Sequence, residues 1–568
     1  MFSLRRLLTS GSKATAFAGR RMVPKRSGLF AKVLLGAGLT TAFVKYKFDL
    51  EALKSQNLGL VAVAQASENL HQVEIGGSDE FQEGQLKEIK VGDDKKKDLI
   101  MVVRYEGQLY AVGAKCTHVG APLAQGILFE DRIYCPWHLA AFSIKTGYPD
   151  NGPILNGLPV YKITEKNGKV TVEVPKSITV NAVPVKTVTR DPANKERYVI
   201  VGGGPAGTSA VDTLRQAGFT GEIVVLSKEE VLPYDRTALT KGPYTFMVMP
   251  HNQCALRDQD YFDKLGVEVR SGAYVVDVNP EKKTVELKDG EKVKYDKLLI
   301  ATGASPFVPP IPGTKAHNVF PVRDFAGLEK IRGAVANAKN VVVIGASFIG
   351  VESAGSIKGH LKDEVNVTVV DGSKEAYERA LGPKVGKALR VLGEKSGVTF
   401  KFGTSVKEIN QNEEGYVSQV VLADGTKLDA DLVIMGTGVR PNTWFLKDKV
   451  GIAQDGGVRT DVFLRSSDDN IFAAGDVASF PYFYNAERIR VEHIAEAYAT
   501  GYYAALNMLG KYKPYDNVPF FSTRAFNKTL AYIGHAKDFD DVSYSKKHFG
   551  ASDSTSLSLL SHPSPNFL

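Results

Sequence analysis

Two short apolar runs, each ending in a glycine-rich turn, constrain this chain more than any other feature: Tyr198-Val-Ile-Val-Gly-Gly-Gly-Pro-Ala-Gly207 and Val341-Val-Val-Ile-Gly-Ala-Ser-Phe-Ile-Gly350. A strand that runs straight into G-x-G-x-x-G and then a helix buries itself as the first βα step of a parallel sheet covered by helices. In the first copy Gly202 permits the tight turn, Gly204 lets backbone approach a pyrophosphate, and Gly207 lets the helix pack on its strand. In the second, Gly345 and Gly350 keep the outer positions while Ser347 replaces the middle glycine, which leaves the approach slightly less open. Each turn places a helix N-terminus where phosphate binds. A second strand follows in both, Glu222-Ile-Val-Val-Leu-Ser227 and Val365-Asn-Val-Thr-Val-Val-Asp371. Asp371 stands where a carboxylate accepts both ribose hydroxyls of NADH and repels a 2′-phosphate, so NADH is expected over NADPH, with Lys374 and Arg379 as the opposing charges nearby.

The 568 residues leave room for three or four domains. Between about residues 73 and 175 the pattern changes to short β-rich runs separated by Gly, Pro and Asn turns, the signature of a small antiparallel β domain. Inside it lie Cys116-Thr-His118 and, after sixteen further residues, Cys135-Pro-Trp-His138. Two loops therefore each offer one thiolate and one imidazole. A Rieske [2Fe-2S] centre uses that pairing, two cysteines on one iron and two histidines on the other. Zinc uses the same set, although its sites more often pair like ligands within one short loop; here the types alternate. The third cysteine, Cys254, stands apart, and so few thiols argue against a disulfide-built secreted protein.

The net charge of +8 is concentrated at the N-terminus, where ten Lys or Arg and no acid precede Asp49. The remainder is slightly acidic, and no nucleic-acid partner is expected. Residues 1–48 read as a mitochondrial presequence, because the first 27 are Arg- and Ser-bearing, acid-free and amphipathic if helical; a basic tail is the alternative. The apolar run Leu29 to Val44 carries Lys32 and falls short of the ~20 residues that span a bilayer. An inner-membrane anchor, a sorting signal and a buried helix stay open for it. Residues 177–195 read as an extended linker and 541–568, rich in Ser, as a disordered tail.

Downstream of the first glycine turn, Tyr295-Asp-Lys-Leu-Leu-Ile-Ala-Thr-Gly-Ala-Ser-Pro306 and Asn470-Ile-Phe-Ala-Ala-Gly-Asp-Val477 recur in order. With it they resemble the pyridine-nucleotide-dependent flavoprotein reductases, in the branch that holds ferredoxin reductases and apoptosis-inducing factor, over most of residues 196–535. The segments CTHVGAPL and IYCPWH resemble the two ligand loops of the Rieske domain, with Gly126 and Pro136 shaping the approach. The resemblance implies FAD at Gly202, Gly204 and Gly207, with Glu229 as the ribose ligand beside Lys228, and at Thr302, Gly303, Gly475 and Asp476. It implies NAD at Gly345, Ser347, Gly350 and Asp371, with Gly438 in the Met435 to Pro441 return loop beside the nicotinamide. Leu232-Pro-Tyr-Asp-Arg236-Thr-Ala-Leu-Thr-Lys241 resembles the family segment next to the flavin. There Arg236 and Lys241 bind FAD, and Lys241 pairs with Glu352 near flavin N5; the plain alternative is two surface charges. His493 matches a family position close to the flavin, with a satisfied core histidine as its alternative. No C-x₄-C pair is present, which excludes direct dithiol chemistry.

Some residues depart from the resemblance. Ala121 and Ala141 stand near where high-potential Rieske proteins carry extra cysteines, which implies a low potential, and Leu139 follows His138 where the family has Gly. Segments 518–523 and 532–535 resemble the start of a C-terminal interface domain, and beyond Asp540 that resemblance stops. The expected fold is multidomain α/β plus β: a Rieske-type antiparallel β domain (69–176), then nested Rossmann-like FAD (196–322 and 455–512) and NAD (323–454) domains, then a short, incomplete α+β interface domain (513–540). The expected function is oxidation of NADH at FAD, with single electrons passed to the cluster on the same chain and on to an unidentified one-electron acceptor protein. The alternative is a redox-gated signalling protein in which NADH and FAD control partner binding. The residues name neither the acceptor nor an oligomeric state.

Overall fold

The computed structural model describes residues 70–93, 98–178, 182–240, 251–535, 541–544 and 559–562. Residues 1–48, for which a presequence with an apolar run is expected, and Lys241 lie outside the described residues. Among the described residues no helix is long and apolar enough to cross a membrane.

The N-terminal domain runs from β1 (Leu70–Gly77) to β11 (Lys169–Pro175). Its larger sheet has the order β1-β11-β10-β4-β3-β2, adding β2 (Leu86–Lys90), β3 (Leu99–Tyr105), β4 (Gln108–Gly113) and β10 (Val160–Lys166). Two of its hairpins close on two-residue turns, Glu106-Gly107 (φ 52° and 77°) and Asn167-Gly168 (φ 51° and 75°). Positive φ at both central residues makes turns whose twist suits paired strands. Alternation does the rest: Val170, Val172 and Val174 of β11 are buried between half-exposed neighbours. The smaller sheet is β5 (Ile127–Phe129), β6 (Arg132–Tyr134), β7 (Ala141–Ser143) and β8 (Pro149–Asn151), all antiparallel. The Cys116 loop lies between β4 and β5 and the Cys135 loop joins β6 to β7.

The segment between the two domains is tied down along its described residues. Asp98, 3% exposed, accepts the Ile178 amide at its start. Its strand β12 (Val183–Pro184) pairs with β9 (Asn156–Gly157) of the β domain. Beyond that, the amides of Val188, Arg190 and Asp191 donate to the carbonyls of Arg215, Leu265 and Thr220 in the following domain.

That domain has a five-stranded parallel sheet. Its order is β15 (Val267–Arg270), β14 (Glu222–Leu226), β13 (Arg197–Val201), then Lys297–Ile300 and Ile471–Ala473. Its last strand arrives only after a second parallel sheet, ordered Val319–Pro321, Leu432–Met435, Asn340–Ile344, Asn366–Asp371, Val398–Phe402, has been completed. One dinucleotide fold is thus inserted into another. The insertion begins at Val319 and not at residue 323, because the three-residue strand Val319–Pro321 pairs with Leu432–Met435; it is too short to leave a periodicity signal. Helix α1 (Pro205–Gln216) follows the first glycine turn, α2 (Gln259–Leu265) precedes β15, α3 (Phe348–Leu361) follows the second turn, and α4 (Ile494–Met508) packs on α1. The hairpin Phe520–Ala525 with Lys528–Ile533 comes last in this unit.

Residues 541–544 and 559–562 belong to a separate unit and form an antiparallel strand pair. For those eight residues the expectation of a disordered tail is corrected: Asp541–Tyr544 pairs in register with Leu559–His562, so backbone hydrogen bonding and not composition orders them.

Candidate functional site

The two ligand loops are built alike, residue for residue. In each, the cysteine amide donates to the carbonyl five residues on, Cys116 to Ala121 and Cys135 to Ala140, and the residue four on donates back to the cysteine carbonyl. That register makes Ala140, not Ala141, the counterpart of Ala121. It also explains Leu139: it takes φ 54° where Gly120 takes φ 76°, so a leucine holds the left-handed turn that glycine makes freely in the other loop. Such a conformation costs a side chain about 1–2 kcal/mol. Gly126 serves by close approach, since a Cβ there would lie 2.2 Å from the Tyr134 carbonyl oxygen.

Cys116 and Cys135 are buried. Interaction between the two thiols holds Cys135 below the usual thiol range, at about 6, and pushes Cys116 up. Backbone amides of His118 and Val119 aim at the first sulfur, and those of Trp137 and His138 at the second. His118 Nδ1 and His138 Nδ1 face each other at 3.2 Å. Two ligands of a tetrahedral metal with bonds of about 2.1 Å stand roughly 3.4 Å apart, so the imidazole pair suits one metal. Among the described residues no three His, Cys, Asp or Glu side chains converge on a single ion position. The four candidate ligands fall into a sulfur pair and a nitrogen pair, an arrangement that fits the donor set of a two-iron cluster. Burial pushes His118 toward the neutral form that ligates, and the carboxylate of Asp235, in the flavin-side segment, pulls the other way.

At the first glycine turn Gly202 (φ 113°) lies against the Ala301 carbonyl, and Gly207 against the carbonyl of Gly202, where a Cβ would come within 2.1 Å of oxygen in each case. Gly204 instead faces open space at the N-terminus of α1, a cradle of the kind a pyrophosphate fills. Arg236 pairs with Glu229, which also accepts the Tyr234 hydroxyl at 2.7 Å. Arg236 further donates to the carbonyl of Arg323 at 3.0 Å. The Arg323 guanidinium lies beside Gly303 and 3.8 Å from Asp476, and burial together with the Arg236 charge pushes it below its ordinary value. Two half-buried guanidiniums near one another suit a doubly charged anion. Arg323 was not singled out from sequence, since an arginine after a three-residue strand carries no motif. Thr302 and Asn442 exchange hydrogen bonds of 2.9 Å that lock the Thr302-Gly303 turn, and the Gly475 amide donates to Thr500 at 2.8 Å.

The second turn repeats the packing: Gly345 lies against the carbonyl of Gly436, Gly350 against that of Gly345, and Gly438 (φ 88°) faces open space. Ser347 is the N-cap of α3 with φ −95°, a conformation any residue adopts. Asp371 accepts the Ala346 amide on one oxygen (2.7 Å) and the Ser373 amide (2.7 Å) and hydroxyl (2.5 Å) on the other. It therefore shapes the turn as well as presenting charge at the strand end.

Of the three candidate catalytic residues, two are described and one strand brings them together. Glu352, 3% exposed on α3, accepts the Thr240 and Thr523 hydroxyls, each at 2.6 Å. Thr240 directly precedes Lys241, so the segment that resembles the flavin-side loop ends on this carboxylate. His493 caps α4 by accepting the Ala495 amide at Nδ1 (3.2 Å), while its Nε2 faces the Ser522 amide at 3.3 Å. Thr523 and Ser522 come from the hairpin strand Phe520–Ala525, whose Phe521 ring lies 4.8 Å from His493 and 4.1 Å from Phe348 at the second glycine turn. Nothing in the sequence marks this strand as part of the site; only the packing does.

Residues 196–501 match the family model described as pyridine nucleotide-disulphide oxidoreductase, and residues 71–162 match that of the Rieske [2Fe-2S] domain. The chain is 34% identical to apoptosis-inducing factor 3 of Mus musculus over 473 residues, 82% of this chain and 76% of that protein. It is 33% identical to rhodocoxin reductase of Rhodococcus erythropolis over 336 residues, 59% and 77% of the two chains. Among solved structures, the ferredoxin reductase for the CYP199A2 system of Rhodopseudomonas palustris superposes with a TM-score of 0.59 at 30% identity, covering 62% of this chain and 85% of that one. Putidaredoxin reductase in its covalent complex with putidaredoxin gives 0.59 at 28% identity, covering 62% and 84%.

Proposed function

The chain belongs to the pyridine nucleotide-disulphide oxidoreductase family with a Rieske [2Fe-2S] domain ahead of the reductase fold, and from that premise we propose that it carries electrons from NADH to the cluster within one polypeptide and on to a one-electron acceptor protein. The family and the domain make it an NAD(P)H-dependent oxidoreductase that uses FAD, NADH and a [2Fe-2S] cluster. The observation that carries the internal path is that the cluster domain is tied to the flavin domain: the linker between them pairs with β9 at Val183 and Pro184 and hydrogen-bonds to the flavin domain from Val188 to Asp191. In a structure of this fold, putidaredoxin is a separate chain joined to its reductase. Here an iron–sulfur domain is part of the chain, which keeps donor and acceptor at high effective concentration.

When bound, FAD takes the hydride of NADH as an electron pair and the cluster accepts one electron at a time. The residues divide the remaining work. Gly204, the α1 N-terminus, Arg236 and Arg323 neutralise the FAD pyrophosphate, and Asp476 lies beside them. Gly345, Ser347 and Gly350 receive the NADH pyrophosphate, and Asp371 at the strand end favours NADH over NADPH. Glu352, held by two threonine hydroxyls, anchors the start of the Lys241 segment. Cys116 and Cys135 hold one iron, His118 and His138 the other. The acid-free basic segment at residues 1–27 supports a mitochondrial location.

Anaerobic mixing of the holoprotein with NADH tests the path. Flavin bleaching should be followed by the electron paramagnetic resonance signal of a reduced Rieske cluster; bleached flavin beside a cluster that stays oxidised would sink the proposal.

A further inference from the structure

One buried arginine joins the two halves of the molecule. Arg257, 8% exposed and two residues ahead of α2, donates from Nη2 and Nε to Asp212 Oδ2 at 2.6 and 3.2 Å. Asp212, 2% exposed, sits on α1, the helix that follows the first glycine turn, and takes the Tyr261 hydroxyl on its other oxygen at 3.1 Å. The remaining donors of Arg257 cross to the β domain: Nη1 to Asn156 Oδ1 at 2.6 Å and Nη2 to the Leu155 carbonyl at 3.0 Å. The Asn156 carbonyl in turn accepts the Thr117 hydroxyl at 2.9 Å, and Thr117 lies between Cys116 and His118. An unbroken hydrogen-bonded chain thus runs from a ligand loop of the cluster to the FAD-binding helix.

A flat guanidinium fork with donors fixed in direction suits such a role better than a lysine ammonium, because it sets distance and angle together. Its neighbours argue for a standing dock and against a swinging head. The linker that would have to extend is paired with β9 at Val183 and Pro184 and hydrogen-bonded to the flavin domain from Val188 to Asp191.

Resting on the internal electron path proposed above, we propose that Thr117, Asn156, Arg257 and Asp212 form a docking latch that holds the cluster domain in one fixed geometry on the flavin domain. Asn156 and Arg257 are positioning residues for transfer between the modules, in which one electron leaves reduced flavin and one ferric iron becomes ferrous. Neither residue touches a cofactor-binding group assigned above.

The test uses full-length holoprotein. Asn156→Leu removes the acceptor on the cluster side and leaves the Arg257–Asp212 pair intact; Arg257→Met removes the crossing donors; Asn156→Asp keeps an acceptor. In the first two, FAD and iron content, the cluster spectrum and NADH bleaching of flavin should match wild type, while cluster reduction slows by about tenfold or more. Amide hydrogen exchange at residues 155–157 and 183–184 should rise in both. Asn156→Asp should restore both readouts. If Arg257→Met loses FAD, Asn156→Leu alone decides. Wild-type cluster reduction together with unchanged exchange in Asn156→Leu overturns the latch. If the wild-type cluster is never reduced by NADH, the electron path fails instead, and the exchange data still judge the latch: unchanged protection in Asn156→Leu rejects it, raised exchange upholds the dock.

Discussion

Single residues in this chain are set as much by what surrounds them as by their own chemistry. Glu496 in the first turn of α4 shows it: the carboxyl is 1% exposed, one oxygen takes the Tyr515 hydroxyl, and the other is unpartnered. Desolvation raises it to about 7, against the small opposing effect of the tyrosine bond. A carboxyl raised in the folded state binds more protons there than when unfolded, between its ordinary range near 4.5 and 7. Stability therefore falls as pH rises through that window and levels off above it. Glu496→Gln keeps an acceptor for Tyr515 and removes the buried charge. Its melting temperature should exceed wild type at pH 8, by an effect on the order of 3 kcal/mol, and equal it near pH 4.5. A variant that gains nothing at pH 8 would show that Glu496 ionises without penalty.

Between elements, one of the close contacts in the flavin domain is made by an absence of side chain. Gly501 of α4 meets Ala206 of α1 so tightly that a Cβ would stand 2.2 Å from the Ala206 carbonyl oxygen. Helix α1 presents its N-terminus to the pyrophosphate, so its seat on α4 fixes where phosphate binds. Gly501→Ala must push the helices apart, at a cost of about 1–3 kcal/mol. Purified protein should hold less than stoichiometric FAD and melt lower, with the deficit partly repaired by added FAD; full occupancy at wild-type stability would show that the helices can part freely. The hairpin strand Phe520–Ala525 makes the complementary point, for its Thr523 and Ser522 reach Glu352 and His493 from a segment distant in sequence.

At the scale of the whole molecule, the two modules have separate cores, and Arg257 bridges them. The cluster domain buries Met101, Leu123, Ile133 and Phe142 around its ligand loops and a second apolar layer, with Val102, Val170 and Val172, under its larger sheet. The flavin domain buries Val199, Ile200, Leu214 and Leu299 on its own. Loss of a cluster ligand should therefore loosen one layer of one domain, since metal binding and local folding are coupled. His138→Ala is expected to abolish reduction of a one-electron protein acceptor while stopped-flow bleaching of FAD by NADH stays within about twofold of wild type. Equal loss of both rates would mean that the modules do not act separately.

What this sequence determined by itself is the chemistry carried by local pattern. Strand, glycine turn and helix are contiguous, so both dinucleotide folds and the strand that ends at Asp371 could be read from spacing; so could the pairing of one cysteine with one histidine in each of two loops. Leu139 was visible as a departure, yet its left-handed backbone required the paired loops to be seen. Tertiary structure alone decided what depends on approach between distant segments. It placed the Phe520–Ala525 strand at Glu352, put Arg323 beside Arg236, pinned the linker to both domains, and laid Arg257 across the boundary between them. These are contacts between side chains up to hundreds of residues apart, formed because a buried charge or an unpaired amide must find a partner wherever the packing brings one, and no local periodicity records where that will be.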